Sequence, residues 1–309
     1  MSFVPPTLAE YEQAAAALAG VVSETPLVET QYLSDVLGAP VLLKLENLQR
    51  TGSFKIRGSS YLMSRLTAEE RARGVVAASA GNHAQGVALA ARELGIHATI
   101  FMPLGVPVPK LLATRGYGAD VILQGPTVEE PLRLAAEFAR ETGAVLVHPF
   151  DHRDIVTGQG TLGLELFDEC PELDTVVLGI GGGGLIAGVA GAIKARAAAV
   201  GRTVRVIGVQ AENSAAYPAS LAAGTPTTVT TRPTIADGIA VARPGDIPFE
   251  MIRDLVDEVV TVSEDDIARA LLVLMERAKL VVEPAGAVGV AAILAGKVKA
   301  SGTTIAVIS

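Results

Sequence analysis

Cysteine is almost absent from this 309-residue sequence, and tryptophan is missing altogether. The single thiol, Cys170, can close no internal disulfide and cannot build a cysteine-based zinc cluster, which points to a reducing, cytoplasmic address. Charge is sparse as well: charged residues make up 19% of the chain, the formal net charge is -8, and Lys and Arg form no cluster. Neither a nucleic-acid nor an anionic-membrane partner is expected from that balance. The first residues lack the basic start and unbroken apolar stretch of a secretory signal. One long uncharged run exists, nineteen residues at 175–193, but seven of them are glycine and four of those are consecutive. A strand, a glycine turn and a buried helix account for this run better than a membrane span does.

What is present is apolar matter in a regular order. Half the residues are hydrophobic, and the length suggests two structural lobes around substantial cores. Thr7 and Glu10 stand at capping-box spacing before an alanine-rich helix over 11–19 that Gly20 ends. Short apolar runs at 41–46, 75–79, 98–102, 120–123 and 144–148 read as strands, and the middle of the chain alternates them with helix-length segments. The alternation resumes with strands near 175–179, 204–210, 258–262 and 303–308, and Ser263 with Asp266 opens a helix. Residues 212–250 are the least regular and read as short helices and loops. This is an α/β pattern with parallel strands and crossover helices, so ligands are expected where strands end and helices begin.

Three strand-to-helix turns carry candidate chemistry. Gly179 to Gly184 spells GIGGGG, and residues without side chains let successive N–H groups close on an anion while the following helix adds positive dipole. A phosphate cradle is the direct reading. Gly179, Gly181 and Gly184 also match G-x-G-x-x-G with Glu212 beyond the next strand, so a dinucleotide site stays open. A P-loop does not, because Leu185 stands where lysine is required. The second turn, 51–58, contains Lys55, one of only seven lysines, flanked by Phe54 and Ile56. Apolar surroundings lower an amine's pKa and free it for Schiff-base formation, although a lysine at a helix start is more commonly solvated. In the third turn, Ser79, Ala80, Gly81, Asn82 and His83 bring a hydroxyl, an amide and free N–H groups to a helix start, which suits a carboxylate or an ordinary N-cap. Together, an amine turn, a carboxylate turn and a phosphate turn describe a pyridoxal-phosphate enzyme acting on an amino acid.

The sequence resembles the serine/threonine dehydratases among the fold type II pyridoxal-phosphate enzymes. The resemblance lies in KLENLQRTGSFKIRG at 44–58, SAGNHAQGVA at 79–88, GQGTLGLE at 158–165, GIGGGGLIAG at 179–188, ADG at 236–238 and EPAGA at 283–287. It implies two lobes, each a twisted, mainly parallel sheet flanked by helices, with the active site in the cleft between them. Residues 1–52 and 151–309 would form the large cofactor lobe, and residues 53–150 the small one. The cofactor would be pyridoxal 5'-phosphate, bound to Lys55 as an imine, with Phe54 near its ring. Gly181, Gly182, Gly183, Gly184 and Leu185 would hold its phosphate, Asn82 its ring hydroxyl and Ser309 its ring nitrogen, while Gly238 would border the ring face. Ser79, Ala80, Gly81, Asn82 and His83 would receive the substrate carboxylate. Glu283 would lie near the cofactor.

The implied activity is β-elimination of water, converting L-threonine to 2-oxobutanoate and ammonia, and L-serine to pyruvate and ammonia. Lys55 would be the catalytic base for the α-proton. A serine hydroxyl opposite the ring nitrogen makes the ring a weaker electron sink, which favours prompt loss of the β-substituent. Related lyases on hydroxyaspartate, phenylserine or hydroxyectoine-derived substrates, and serine racemases, are the alternatives. Racemases resembling this chain carry serine where Ala80 stands, so racemisation is expected to be minor. No metal is expected: Glu212 matches a cation ligand of some relatives, but Pro218 stands where the second carboxylate belongs. The remaining histidines, Cys170 and Arg57 read as structural. The sequence stops at Ser309, where relatives continue with a Gly-Gly-Asn turn, and feedback control through a C-terminal regulatory domain is not expected. A homodimer or homotetramer is implied by the resemblance alone.

Overall fold

The computed structural model describes residues 3–126 and 129–309. Among the described residues, ten strands form two sheets: β1 (Leu27–Glu29), β2 (Val41–Leu45), β3 (Val75–Ala78), β4 (Ala98–Met102), β5 (Asp120–Leu123), β6 (Val145–Leu146), β7 (Leu173–Gly179), β8 (Arg205–Ala211), β9 (Glu258–Val262) and β10 (Thr303–Ile308). The larger sheet has the order β1-β2-β10-β7-β8-β9, and the smaller has β5-β4-β3-β6. Every pairing is parallel except β1 with β2, where Leu27 faces Lys44. The nine runs that read as strands in the sequence all lie on strands, most within a residue or two of the expected ends. β1 is not legible there, because three residues at a sheet edge give too short a pattern to register.

Capping explains where several helices start. Thr7 and Glu10 form the expected reciprocal box ahead of the helix Leu8–Leu18, and Ser263 and Asp266 do the same for Glu264–Val273. The stretch after Val273 departs from a plain helix: Leu274–Ala278 widens into a π-turn, and Lys279 closes it at φ +59° as Leu280 N–H donates to the Leu274 carbonyl. Residues 212–250 hold two short 3-10 turns and the helices Ala216–Ala223 and Asp246–Leu255, as their composition suggests.

Separate apolar cores lie against the two sheets. Val41, Leu43, Val177, Val209 and Ala306 of the larger sheet are buried against the helix Pro284–Leu294, whereas Val75, Ala77, Ile100 and Met102 of the smaller one are buried against Asn82–Leu94. The helix Arg153–Glu169 packs at backbone distance against the helix Lys55–Ser64 on one side and the helix Gly184–Ala199 on the other. A Cβ on Gly158 would stand 2.7 Å from the Gly58 Cα, and one on Gly163 would stand 2.7 Å from the Val189 carbonyl oxygen. Gly160 and Gly188 meet directly: a Cβ on Gly188 would overlap the Val156 carbonyl and lie 2.6 Å from the Gly160 nitrogen. Glycine is required at these crossings because the obstacle is backbone, which cannot rotate away.

Charge is buried along the same seam. Arg57, fully buried on the helix Lys55–Ser64, donates to both oxygens of Glu46 at 2.8 and 2.9 Å and to both of Glu165 at 2.6 and 2.9 Å. Lys44, also fully buried, donates to Glu169 at 2.7 Å and to the Thr25 carbonyl. Burial pushes the Glu46 carboxyl upward, but the adjacent Arg57 guanidinium outweighs it and holds the group below the usual carboxylate range. The structural reading of Arg57 is thus met, and its partners explain the charged residues inside the 41–46 strand run.

Gly188→Ala is expected to destabilise the fold by about 2–4 kcal/mol through overpacking. Gly116→Ala, at a helical position with open space around it, should be neutral or stabilising by up to about 1 kcal/mol. Denaturant titration of both variants checks the contrast, and equal effects would contradict the packing argument.

Candidate active site

The three turns converge at the carboxyl ends of parallel strands. Lys55 begins its helix just after the 3-10 turn Glu46–Leu48 that follows β2. Gly86 of the neighbouring helix packs so closely on it that a Cβ there would stand 3.0 Å from the Lys55 carbonyl carbon. The lysine Nζ donates to the Pro149 carbonyl at 3.0 Å and lies 5.0 Å from the centre of the Phe54 ring. Burial pushes its pKa down to about 8, and the Glu283 carboxylate pulls weakly the other way. The amine is therefore held inward against a neutral acceptor, as a Schiff-base lysine requires.

Ser79, Ala80, Gly81, Asn82 and His83 link β3 to the helix Asn82–Leu94. Ser79 N–H donates to the Phe101 carbonyl, and the Ser79 hydroxyl accepts the Gly81 N–H at 3.1 Å. The N–H groups of Ala80, Asn82 and His83 have no acceptor among the described residues. These are the donors an anion could use at the helix start. The His83 ring is engaged elsewhere: its buried Nε2 donates to the Val147 carbonyl at 2.8 Å, and burial together with nearby Lys55 lowers its pKa to about 3. The ring is neutral, and only the backbone of His83 faces this turn.

Asn82 reaches across to the helix packed on the larger sheet, its Nδ2 donating to Glu283 Oε1 at 2.6 Å. Glu283 is the N-cap of the helix Pro284–Leu294. Burial holds its carboxyl above the usual range, while the Asn82 amide and the Lys110 and Lys55 ammonium groups pull against that. Gly238 sits beside this pair, since a Cβ on it would stand 2.9 Å from the Ala285 Cβ and 3.4 Å from Glu283 Oε1. Ser309 follows β10, whose register places it between the ends of β2 and β7. Its backbone lies against Gly286, where any Cβ would overlap the Ser309 carbonyl.

The glycine turn joins β7 to the helix Gly184–Ala199, with Gly183 at φ +101°. A Cβ on Gly182 would overlap the Phe150 ring, and one on Gly183 would overlap the Tyr217 hydroxyl. Among the described residues, the N–H groups of Gly181, Gly182, Gly183, Gly184 and Leu185 find no acceptor. Five consecutive unpaired amides at a helix N-terminus fit a phosphate. With an inward amine at Lys55 and a hydroxyl at Ser309, the residues present suit pyridoxal 5'-phosphate.

The remaining histidines, Glu212 and Cys170 have local surroundings of their own. His148 Nδ1 accepts the N–H of Asp151 at 2.8 Å, His152 caps the helix Arg153–Glu169, and exposed His97 pairs with Asp120. Glu212 pairs with Lys297, and no group of metal-binding side chains occurs among the described residues. Cys170 is buried at a helix end, with its thiol pushed up by desolvation. No helix among the described residues is long and apolar enough to cross a membrane. The sequence reading misses Pro149, Phe150, Lys110, Tyr217 and Gln210. Pro149 and Phe150 follow a parallel strand, so the strand-end rule could have found them. Nothing local marks Tyr217 or Gln210, which reach the turn from other elements.

Comparison with known proteins agrees with this geometry. Residues 18–309 match the family described as pyridoxal-phosphate dependent enzyme. An L-threonine ammonia-lyase of Thermotoga maritima is 50% identical over 302 residues, covering 98% of this chain and 74% of the relative. Among solved structures, maize serine racemase superposes with a TM-score of 0.93 at 35% identity, covering 99% of this chain and 93% of that one. The processed form of threonine deaminase isoform 2 from Solanum lycopersicum gives 0.91 at 36% identity, covering 100% of this chain and 92% of that one. The match runs through the same turns whose amine, amides and hydroxyl have just been described, and the chain belongs to the fold type II pyridoxal-phosphate dependent enzymes.

Proposed function

We propose that the chain is a threonine/serine ammonia-lyase that eliminates water from L-threonine, giving 2-oxobutanoate and ammonia, and from L-serine, giving pyruvate and ammonia. The observation that carries this reading is the Lys55 amine, desolvated and bonded among the described residues only to a neutral carbonyl, together with a cluster of amides that find no acceptor there and a second N–H-bearing turn. The identity to an L-threonine ammonia-lyase over nearly the whole chain supports threonine as the substrate.

In this reading Gly181, Gly182, Gly183, Gly184 and Leu185 hold the cofactor phosphate, Asn82 the ring hydroxyl and Ser309 the ring nitrogen, with Phe54 and Gly238 bordering the ring. When bound, pyridoxal phosphate supplies an aldehyde that condenses with amines and a ring that withdraws electrons from the α-carbon. Ala80, Asn82 and His83 orient the substrate carboxylate through their free N–H groups, and Ser79 and Gly81, whose own N–H groups are engaged, complete the turn that presents them. The Lys55 amine, held in the site at Nζ, would accept the α-proton of the substrate. The Ser309 hydroxyl cannot keep a proton on the ring nitrogen as a carboxylate would, which favours loss of the β-hydroxyl. The Ala80 methyl offers no proton from the other face of the substrate, which disfavours racemisation. We assign residues 53–150 to the small lobe and 1–52 with 151–309 to the large one. A homodimer or homotetramer is the assembly we expect from the resemblance, and the lone buried thiol fits a cytoplasmic location.

Lys55→Ala should abolish both the cofactor's visible absorbance and keto-acid release, and a screen of hydroxy amino acids should rank threonine and serine first. Turnover of hydroxyaspartate alone would replace the substrate assignment. Ala80→Ser should introduce slow racemisation, read by chiral analysis of recovered serine, while the parent enzyme shows little. A lysine with a lowered pKa loses its proton earlier as pH rises, so cofactor uptake by the apoprotein should accelerate through about pH 8 and then level off. A midpoint near the ordinary lysine value would show that burial does not tune this amine.

A further inference from the structure

We infer that Tyr217, together with Gln210, is a positioning residue for the cofactor phosphate, forming a buried bracket that fixes which way the glycine turn's peptide groups point. The inference rests on the reading above that this turn holds a phosphate.

Tyr217 is fully buried on the helix Ala216–Ala223, and its hydroxyl donates to the Gly182 carbonyl at 3.1 Å. A second donor, the Gly245 N–H, reaches the same oxygen at 3.1 Å. A trans peptide is planar, so its carbonyl and the next residue's N–H point in opposite directions. Gripping the Gly182 oxygen from one side therefore aims the Gly183 N–H toward the other. The ring lies so close beneath the turn that any side chain at Gly183 would collide with its hydroxyl.

Gln210, fully buried on β8, holds both parts of the bracket. Its Oε1 accepts the Tyr217 N–H at 2.8 Å, and its Nε2 donates to the Ile180 carbonyl at 3.4 Å, at the foot of the turn. Asp151 steadies the second donor's segment by accepting the N–H groups of Asp246 and Ile247 at 3.0 and 2.9 Å. Four consecutive glycines have more backbone freedom than any other sequence of that length, and binding an anion would have to remove it. A rotated Gly182 peptide would present a carbonyl oxygen to the phosphate in place of an N–H. The bracket excludes that arrangement in advance, which is preorganisation in the ordinary sense.

Tyr217→Phe removes only the hydroxyl. Holoenzyme and variant would be dialysed against graded pyridoxal 5'-phosphate and, after exchange, against pyridoxal, which lacks the phosphate. The variant is expected to bind pyridoxal 5'-phosphate about fivefold to tenfold more weakly, the scale of one lost hydrogen bond, and to bind pyridoxal as the parent does. An unchanged preference for the phosphorylated form overturns the proposal. An equal loss for both compounds also overturns it, since that marks general damage to the site. If the parent itself shows no preference for the phosphorylated form, the phosphate assignment of the turn is what fails. Gln210→Met carries the same comparison should Tyr217→Phe not fold, with a smaller loss in the same direction expected.

Discussion

The site depends on one close approach of backbones. The helix Arg153–Glu169 contacts the lysine-bearing helix through Gly58 and Gly158, and the phosphate-side helix through Gly160 and Gly188. At these crossings any Cβ would meet backbone atoms, so the spacing of the helices is set by main-chain contact, with little slack for side-chain repacking. Lys55 starts one of the outer helices and the glycine turn starts the other. The distance between an amine and a set of amides is thus fixed by a third helix that carries none of the reacting groups.

Electrostatics reinforces the same geometry near the start of the lysine's helix. Two residues beyond Lys55, Arg57 is locked to Glu46 and Glu165, which ties the helix to the end of β2 and to the central helix at once. Such a cluster is costly to desolvate, and its value lies in direction: bidentate guanidinium pairs accept few orientations. Lys55 itself has no carboxylate within hydrogen-bonding distance among the described residues, only the Pro149 carbonyl. One basic residue is kept charged by paired acids while its near neighbour is made easier to deprotonate by burial. A structural cation and a reactive amine thus share one turn of helix.

Much of this is legible in the sequence because it obeys local rules. Alternating apolar runs and capping pairs locate nine of the ten strands and two helix starts, and glycine, lysine and the Ser79–His83 segment mark all three turns. What cannot be read depends on distant pairings. Lys44 and Glu46 look misplaced in a strand until Glu169 and Arg57 appear beside them. The Asn82–Glu283 contact joins residues some two hundred positions apart, and nothing near Asn82 announces it. Gly158 and Gly188 lie in the motifs at 158–165 and 179–188, and nothing beside them in the sequence shows that their role is to let other backbones in.

The division between legible and illegible residues follows function as well as distance. Groups that meet a ligand directly sit in strand-end turns, where small residues and free N–H groups leave a compositional trace. Groups that orient them come from whatever element happens to lie underneath, and they are chosen for reach and burial. Tyr217 and Gln210 belong to different elements from the glycine turn, yet each grips one of its carbonyls, Gly182 and Ile180, and so helps decide where the amides point. A glycine-rich turn alone provides approach without orientation. Orientation must be imported from neighbours with stiffer backbones, so a flexible phosphate turn in this fold requires a rigid polar layer beneath it.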